Sequence, residues 1–285
     1  MELRVGCIQV TSGPSLQDNV EMASRLVGEA CLKGAKFVFL PENVGLLGPG
    51  SVMREAAAPE ERHVALSAFR SLAARLHVWI SVGSLAVKLE NGGLANRSFL
   101  LDTDGNIVSR YDKIHMFDVD LPSGERYRES DNYEAGSEAC LAETPWGCLG
   151  LTVCYDIRFP HLYRELAKAG AEIISVPSAF TRTTGAAHWH ILLRARAIET
   201  GCFIVAPAQC GNHYGSRATF GHSLIVGPKG DIIGEGCEEP GLIFADLDLS
   251  LVKSVRESLP SLQHDRKFAP PGRDAKIFQT GFGRN

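Results

Sequence analysis

The chain runs to 285 residues, 45% of them hydrophobic, with 29 basic against 33 acidic side chains for a formal charge of -4. Charges this balanced, with no Lys/Arg cluster long enough to follow a phosphate backbone, argue against nucleic acid as a partner. The start, Met1-Glu2-Leu3-Arg4-Val5-Gly6-Cys7, reads as a strand rather than a leader peptide, and no run approaches the ~18 apolar residues of a membrane helix, so a cytoplasmic protein without membrane contact is expected.

Residues 4–9 form the first predicted strand. Ser15 caps a helix over 15–33, whose apolar positions Val20, Ala23, Leu26, Val27, Ala30 and Cys31 recur at helical spacing, and Gly34 closes it. A strand at 37–40, a helix at 60–76 and a strand at 78–85 follow. Strands 96–101 and 107–111 flank Asp102-Thr103-Asp104-Gly105, a hairpin turn. The same order then recurs: strand 149–153, helix 159–169, strand 173–176, helix 186–200, strand 203–207, and a hairpin of 222–226 with 232–235 around Pro228-Lys229-Gly230-Asp231. Two α/β halves predict two sheets packed face to face, and strands that read as continuous apolar runs are those covered on both sides. No linker divides the chain, so a single domain over 1–267 is expected, with a tail at 268–285 that begins where Ala269-Pro270-Pro271-Gly272-Arg273 breaks regular structure. Phe278 and Phe282 in that tail suit docking on a neighbouring subunit.

The eight cysteines, at 7, 31, 140, 148, 154, 202, 210 and 237, are scattered over predicted strands and helices without C-x-x-C spacing. Reduced thiols follow, with neither structural zinc nor thioredoxin chemistry. Dinucleotide and phosphate-loop glycine motifs are absent, so no cofactor or metal is predicted. His188 and His190 make a poor metal pair, because alternate residues on a helix do not face one another.

Reactive side chains gather instead at strand ends. Cys154 ends the run Leu149-Gly150-Leu151-Thr152-Val153 and opens a sharp turn, a place that raises a thiol above the sheet beside backbone N–H groups. Glu42 follows Phe37-Val38-Phe39-Leu40-Pro41, and Lys113 follows the strand at 107–111. In layered α/β folds the carboxyl ends of strands are where sites assemble. His115, His161, His188 and His190 lie near these motifs, but no context typical of a Cys-His hydrolase surrounds Cys154.

Phe39-Leu40-Pro41-Glu42, Tyr111-Asp112-Lys113-Ile114-His115 and Val153-Cys154-Tyr155-Asp156-Ile157-Arg158-Phe159-Pro160 together resemble the base, lysine and nucleophile motifs of the nitrilase, or carbon-nitrogen hydrolase, superfamily. The likeness covers 3–267, and Pro177-Ser178-Ala179-Phe180 and Thr184-Gly185-Ala186-Ala187-His188-Trp189 are most similar to its Nit branch. The resemblance implies an α-β-β-α sandwich and an amidase acting through a Cys154 thioester. Glu42 would be the base, Lys113 and the Tyr155 N–H would stabilise the oxyanion, and Glu129 would orient the lysine. It implies a small-molecule amide substrate that carries a carboxylate, such as deaminated glutathione or a 2-oxo acid omega-amide. Tyr155, Arg158, Thr181 and Thr184 are the candidate binding groups, with Phe180 and Trp189 as walls; for Arg158 a pairing with Asp156 or another carboxylate behind the pocket is the preferred expectation. The loop at 43–50 is a candidate lid. A nitrilase, an N-carbamoyl amidohydrolase or a non-catalytic binding protein of the same fold remain alternatives. The apolar surplus on helix 186–200 predicts a homodimer about helices 159–169 and 186–200.

Overall fold

The computed structural model describes residues 2–121 and 124–270, so Phe278 and Phe282 lie outside the described residues. Strand β1 (Glu2–Gln9) leads into helix α1 (Leu16–Leu32), begun by Ser15, whose Oγ accepts the Asp18 N–H at 3.4 Å. Then come β2 (Phe37–Phe39), a short α2 (Gly50–Ala56), α3 (Val64–Leu76), β3 (Trp79–Lys88) and the hairpin of β4 (Leu94–Leu101) with β5 (Ile107–Asp112). A ribbon of β6 (Asp118–Asp120) and β7 (Arg126–Arg128) precedes β8 (Cys140–Thr144) and β9 (Gly147–Leu151). The second half continues through α4 (Pro160–Lys168), β10 (Ile173–Ser175), α5 (Arg182–Thr200) and β11 (Phe203–Ala206). A ribbon of β12 (Cys210–Tyr214) and β13 (Arg217–Phe220), the hairpin of β14 (Leu224–Val226) and β15 (Ile232–Glu235), then β16 (Gly241–Asp248) and α6 (Ser250–Ser258) complete it.

One sheet has the order β16-β1-β2-β3-β4-β5 and the other β15-β14-β11-β10-β9-β8. In each, three parallel strands occupy the middle and an antiparallel hairpin continues one side. The repeated element order therefore corresponds to two sheets of one plan. Successive strand side chains point to opposite faces, and here both faces are apolar. Leu3, Val5, Cys7, Phe37 and Phe39 enter a core shared with Leu149, Leu151 and Val153 of the other sheet. Ile8, Val38 and Leu40 point the opposite way, against Leu26 of α1 and Phe69 and Leu72 of α3. Trp79 of β3 and Trp146 of the β8–β9 turn meet edge to face at 6.2 Å, so aromatic packing joins the sheets. On the far side Leu162 and Leu166 of α4 and Trp189 and Leu193 of α5 are buried, which completes the α-β-β-α sandwich.

The structure departs from the sequence reading in boundaries and small elements. Helix α3 starts at Val64 rather than 60, because His63 takes the capping position and accepts the Leu66 N–H, while Glu60–Arg62 winds as a 3-10 turn. Helix α5 starts at Arg182 rather than 186, since Thr181 caps it through the Thr184 N–H. Strand β16 returns from the second half to pair with β1 along the whole register from Glu2↔Asp248 to Gln9↔Gly241. The ribbons β6–β7 and β12–β13 and helix α2 went unanticipated because such short segments carry little periodicity, and α6 and the return of β16, itself an eight-residue run with five apolar residues, went unanticipated as well.

Candidate active site

Three strand ends deliver the site. Glu42 sits three residues past β2, Lys113 immediately after β5, and Cys154 three residues past β9. All three are buried, at 3%, 2% and 8% exposure. Cys154 opens a 3-10 turn with φ +48, a left-handed conformation rare for a residue with a side chain, and its N–H is fixed to the Pro177 carbonyl at 2.9 Å. Asp156 holds this turn. Its carboxylate accepts the Val153 N–H at 2.8 Å, the Tyr111 hydroxyl at 2.7 Å and the His115 N–H at 3.1 Å, tying the nucleophile turn to the segment that carries Lys113. Beneath Glu42, Gly83 of β3 comes so close that an added Cβ would lie 2.1 Å from the Leu40 carbonyl oxygen. Only glycine allows that approach.

Lys113 Nζ donates to Glu42 Oε1 at 2.9 Å and to both oxygens of Glu129, at 2.9 and 2.8 Å. Asn96 Nδ2 bridges the same carboxylates at 3.0 and 3.1 Å, the Phe117 N–H fixes Glu129, and the Ala179 N–H fixes Glu42 Oε2 at 2.8 Å. Burial works against charge on Glu42, yet Lys113 and hydrogen bonds from Lys113, the Cys154 thiol and Asn96 outweigh it, so the carboxyl is held below its usual range. Burial likewise opposes the Lys113 cation, and Glu129 and Glu42 overcome it, so the ammonium is retained well above its ordinary value. Burial and then the Glu42 charge push the Cys154 thiol upward. The resting site is therefore carboxylate, ammonium and thiol, with the Glu42 carboxylate on the same cavity wall as the thiol and placed to take its proton. Such an arrangement can generate a thiolate only as a proton moves to Glu42, which suits attack on a bound carbonyl.

The three groups open onto a cavity of about 220 Å³, room for roughly seven waters at their liquid volume. Tyr155, Phe180, Thr181 and Thr184 line it, as does Leu47 of the 43–50 loop, which is largely buried and forms a wall. Arg158 and Trp189 are outside that lining. Asp156 is fully engaged elsewhere, so the expected Arg158–Asp156 pair does not form; Arg158 reaches the His188 ring at 3.3 Å and covers Tyr155 and Phe180 from behind. Trp189 backs Phe180 at 5.0 Å and donates its N–H to the His222 carbonyl. His115 is fixed to Asp156 and stacked 3.5 Å from Phe159. His188 and His190 do face apart, the latter bonding Glu235 beside His222. Sequence reasoning missed Asn96, Phe117, Tyr127, Tyr133, Tyr214 and Arg217, which arrive from strands, ribbons and loops without a motif of their own, and it quoted Asp156 within the nucleophile motif without seeing its clamping role. Asn96, a fully buried polar side chain in β4, carries no signal of its own in the sequence because Arg97 and Ser98 beside it are polar too.

A buried Glu-Lys-Cys set thus lies at the ends of three strands in a two-sheet sandwich. The chain belongs to the carbon-nitrogen hydrolase family, which it matches over residues 4–257. It is 43% identical over 265 residues to the deaminated glutathione amidase of Yersinia enterocolitica, covering 92% of each chain. The C. elegans NitFhit structure is 36% identical with a TM-score of 0.86 over 93% of this chain, which spans 65% of that longer protein. A glutamate-to-glutamine variant of the Nesterenkonia sp. AN1 amidase, 26% identical with a TM-score of 0.79 and coverage of 93% and 94%, carries the acetamide moiety of fluoroacetamide on its active-site cysteine.

Proposed function

We propose that this carbon-nitrogen hydrolase cleaves the amide bond of a small carboxylated substrate, deaminated glutathione foremost and 2-oxo acid omega-amides next. The observation that carries this reading is Glu42, one carboxylate that accepts from Lys113 at 2.9 Å and shares with the Cys154 thiol the wall of a cavity sized for a small ligand. Cys154 Sγ attacks the amide carbon as its proton passes to Glu42. The oxyanion is met by Lys113 Nζ and the Tyr155 N–H, Glu42 returns the proton to the departing amine, and a thioester remains. Glu42 then takes a proton from water, which attacks the thioester and releases the acid with the thiol restored. Glu129 acts as a positioning residue, holding Lys113 through both its oxygens. The cycle consumes only water, so no cofactor enters it. The amidase names of relatives at about this chain's own length support the substrate class.

The same reading takes the hydrolase unit as 1–267 with a tail at 268–285, sets it in the cytoplasm, and pairs two copies across α4 and α5. Exposed Ile191 and Ile198 on α5 favour the pairing, and no helix among the described residues is long and apolar enough to cross a membrane.

The test is turnover of deaminated glutathione, omega-amides, N-carbamoyl amino acids and nitriles by the parent, Cys154→Ala and Glu42→Gln, with intact mass read alongside. Expected are amide hydrolysis by the parent, none by Cys154→Ala at unchanged folding, and about a 10²-fold or greater loss in kcat for Glu42→Gln, which keeps the shape but cannot accept the proton. Turnover by Cys154→Ala within tenfold of the parent, or a parent active on nitriles alone, overturns the reading.

A further inference from the structure

The cavity holds four cations, and three of them have carboxylate partners. Lys113 lies between Glu42 and Glu129, while Arg126 and Arg128 both reach Asp120. Arg217, at the start of β13, makes no ion pair among the described residues. Its Nη2 donates to the Ala179 carbonyl at 2.6 Å, its guanidinium lies 4.8 Å from the Tyr127 ring centroid, and its Nη1 is buried without any hydrogen-bond partner. A dry, unmatched guanidinium nitrogen costs more than a satisfied one, and a structure that keeps it has a use for it when a ligand arrives. Two further unpartnered buried atoms, Tyr133 Oη and Asn43 Oδ1, belong to residues lining the same cavity, so three of the six such atoms among the described residues belong to this site. Burial holds the Tyr133 hydroxyl protonated and therefore able to donate, whereas Asn43 Oδ1 can only accept.

We propose that Arg217 is the carboxylate-binding residue of the site, its free Nη1 pairing with an anionic carboxylate on the acyl portion of the amide substrate. The inference deepens the amidase reading and rests on it. A guanidinium donates two charge-assisted hydrogen bonds to a carboxylate, and shielding from water strengthens them. Its anchor is part of the catalytic framework: the Ala179 carbonyl binds Arg217, and the N–H of the same residue binds Glu42. A substrate held by its carboxylate at Arg217 is thereby referenced to the base. The rival role is purely architectural, with Arg217 bracing Ala179 and hence Glu42, and the two roles separate by charge dependence.

The experiment compares glutaramate with pentanamide, its analogue bearing a methyl in place of the carboxylate, on the parent, Arg217→Met and Arg217→Lys. The ratio of kcat/KM for glutaramate over pentanamide should fall about 30-fold or more in Arg217→Met, the size of a lost charged hydrogen bond, and recover in part in Arg217→Lys. In parallel, calorimetry of 2-oxoglutarate on Cys154→Ala should show binding that weakens about tenfold or more when Arg217→Met is added. Equal loss on both amides, or dicarboxylate binding indifferent to Arg217, overturns the subsite and leaves the amidase reading standing. A parent that hydrolyses neither amide nor deaminated glutathione overturns the amidase reading, and the calorimetric arm then decides Arg217 by itself.

Discussion

Lys113 shows how far one residue can carry both stability and chemistry. It is 2% exposed and neutralises the buried Glu42 and the partly buried Glu129, so deleting it strands both. Lys113→Ala should lower unfolding free energy by about 3–5 kcal/mol at pH 7, as removal of one partner of a buried charge pair does, with a smaller loss at pH 4.5, where a Glu42 left buried without its cation takes up a proton. Urea unfolding at the two pH values measures this, and a loss below 1 kcal/mol at pH 7 would mean that solvent reaches the carboxylates. His213 offers a separate pH handle. Burial is the main cause lowering its pKa from 6.5 to about 4, with Arg217 adding to it, and Nδ1 meets the Ser12 carbonyl while Nε2 meets the Thr219 hydroxyl, a pairing that fits the neutral ring. The unfolded chain therefore binds the extra proton first. Its stabilising contribution is complete above pH 6.5 and is lost as pH falls toward 4. His213→Gln should flatten stability across that window; an unchanged slope assigns acid sensitivity to other groups.

At the scale of elements, the decisive contacts join strand ends rather than strand middles. Gly83 lets β3 press against Leu40 and Pro41 just before Glu42, and Gly83→Ala would place a methyl group against two carbonyl oxygens, at 2.1 and 2.3 Å. These are backbone atoms, which cannot swing aside, so the change should displace Glu42 and destabilise the first sheet together. Loss of activity with a lowered melting temperature is the expected result. Wild-type stability in the alanine variant would show that the strand ends have slack. The sequence made the strands legible because both their faces are apolar, and it made Glu42, Lys113 and Cys154 legible because each follows a strand within a motif. It did not reveal Asp156 as the clamp, since its partners Tyr111 and His115 lie on another sheet's continuation, 45 and 41 residues away in the chain.

For the whole molecule, helix α5 divides its apolar residues as a helix between a core and a partner would. Trp189, Leu193 and Ala197 are fully buried, whereas Ile191 and Ile198, seven residues apart on one face, are 69% and 49% exposed. Ile198 leans on the β14–β15 turn at Gly230, which leaves Ile191 as the more open position. Light scattering at micromolar concentration should give twice the 30.9 kDa chain mass, and Ile191→Asp should shift it toward the monomer. A parent mass that stays near 30.9 kDa on dilution rules the dimer out.

The sequence by itself determined the two α/β halves and the three strand-end groups, because periodicity, strand punctuation and motif spacing are properties of neighbouring residues. Only the tertiary structure decided what surrounds those groups. The β12–β13 ribbon carries Arg217 to the Ala179 carbonyl 38 residues away in the chain, and Tyr127 and Tyr133 come to the same cavity from beyond β6. No local pattern encodes such meetings. A cavity is the space left when distant segments pack, so which polar atoms remain unmatched on its wall follows from where every other chain segment found its partner.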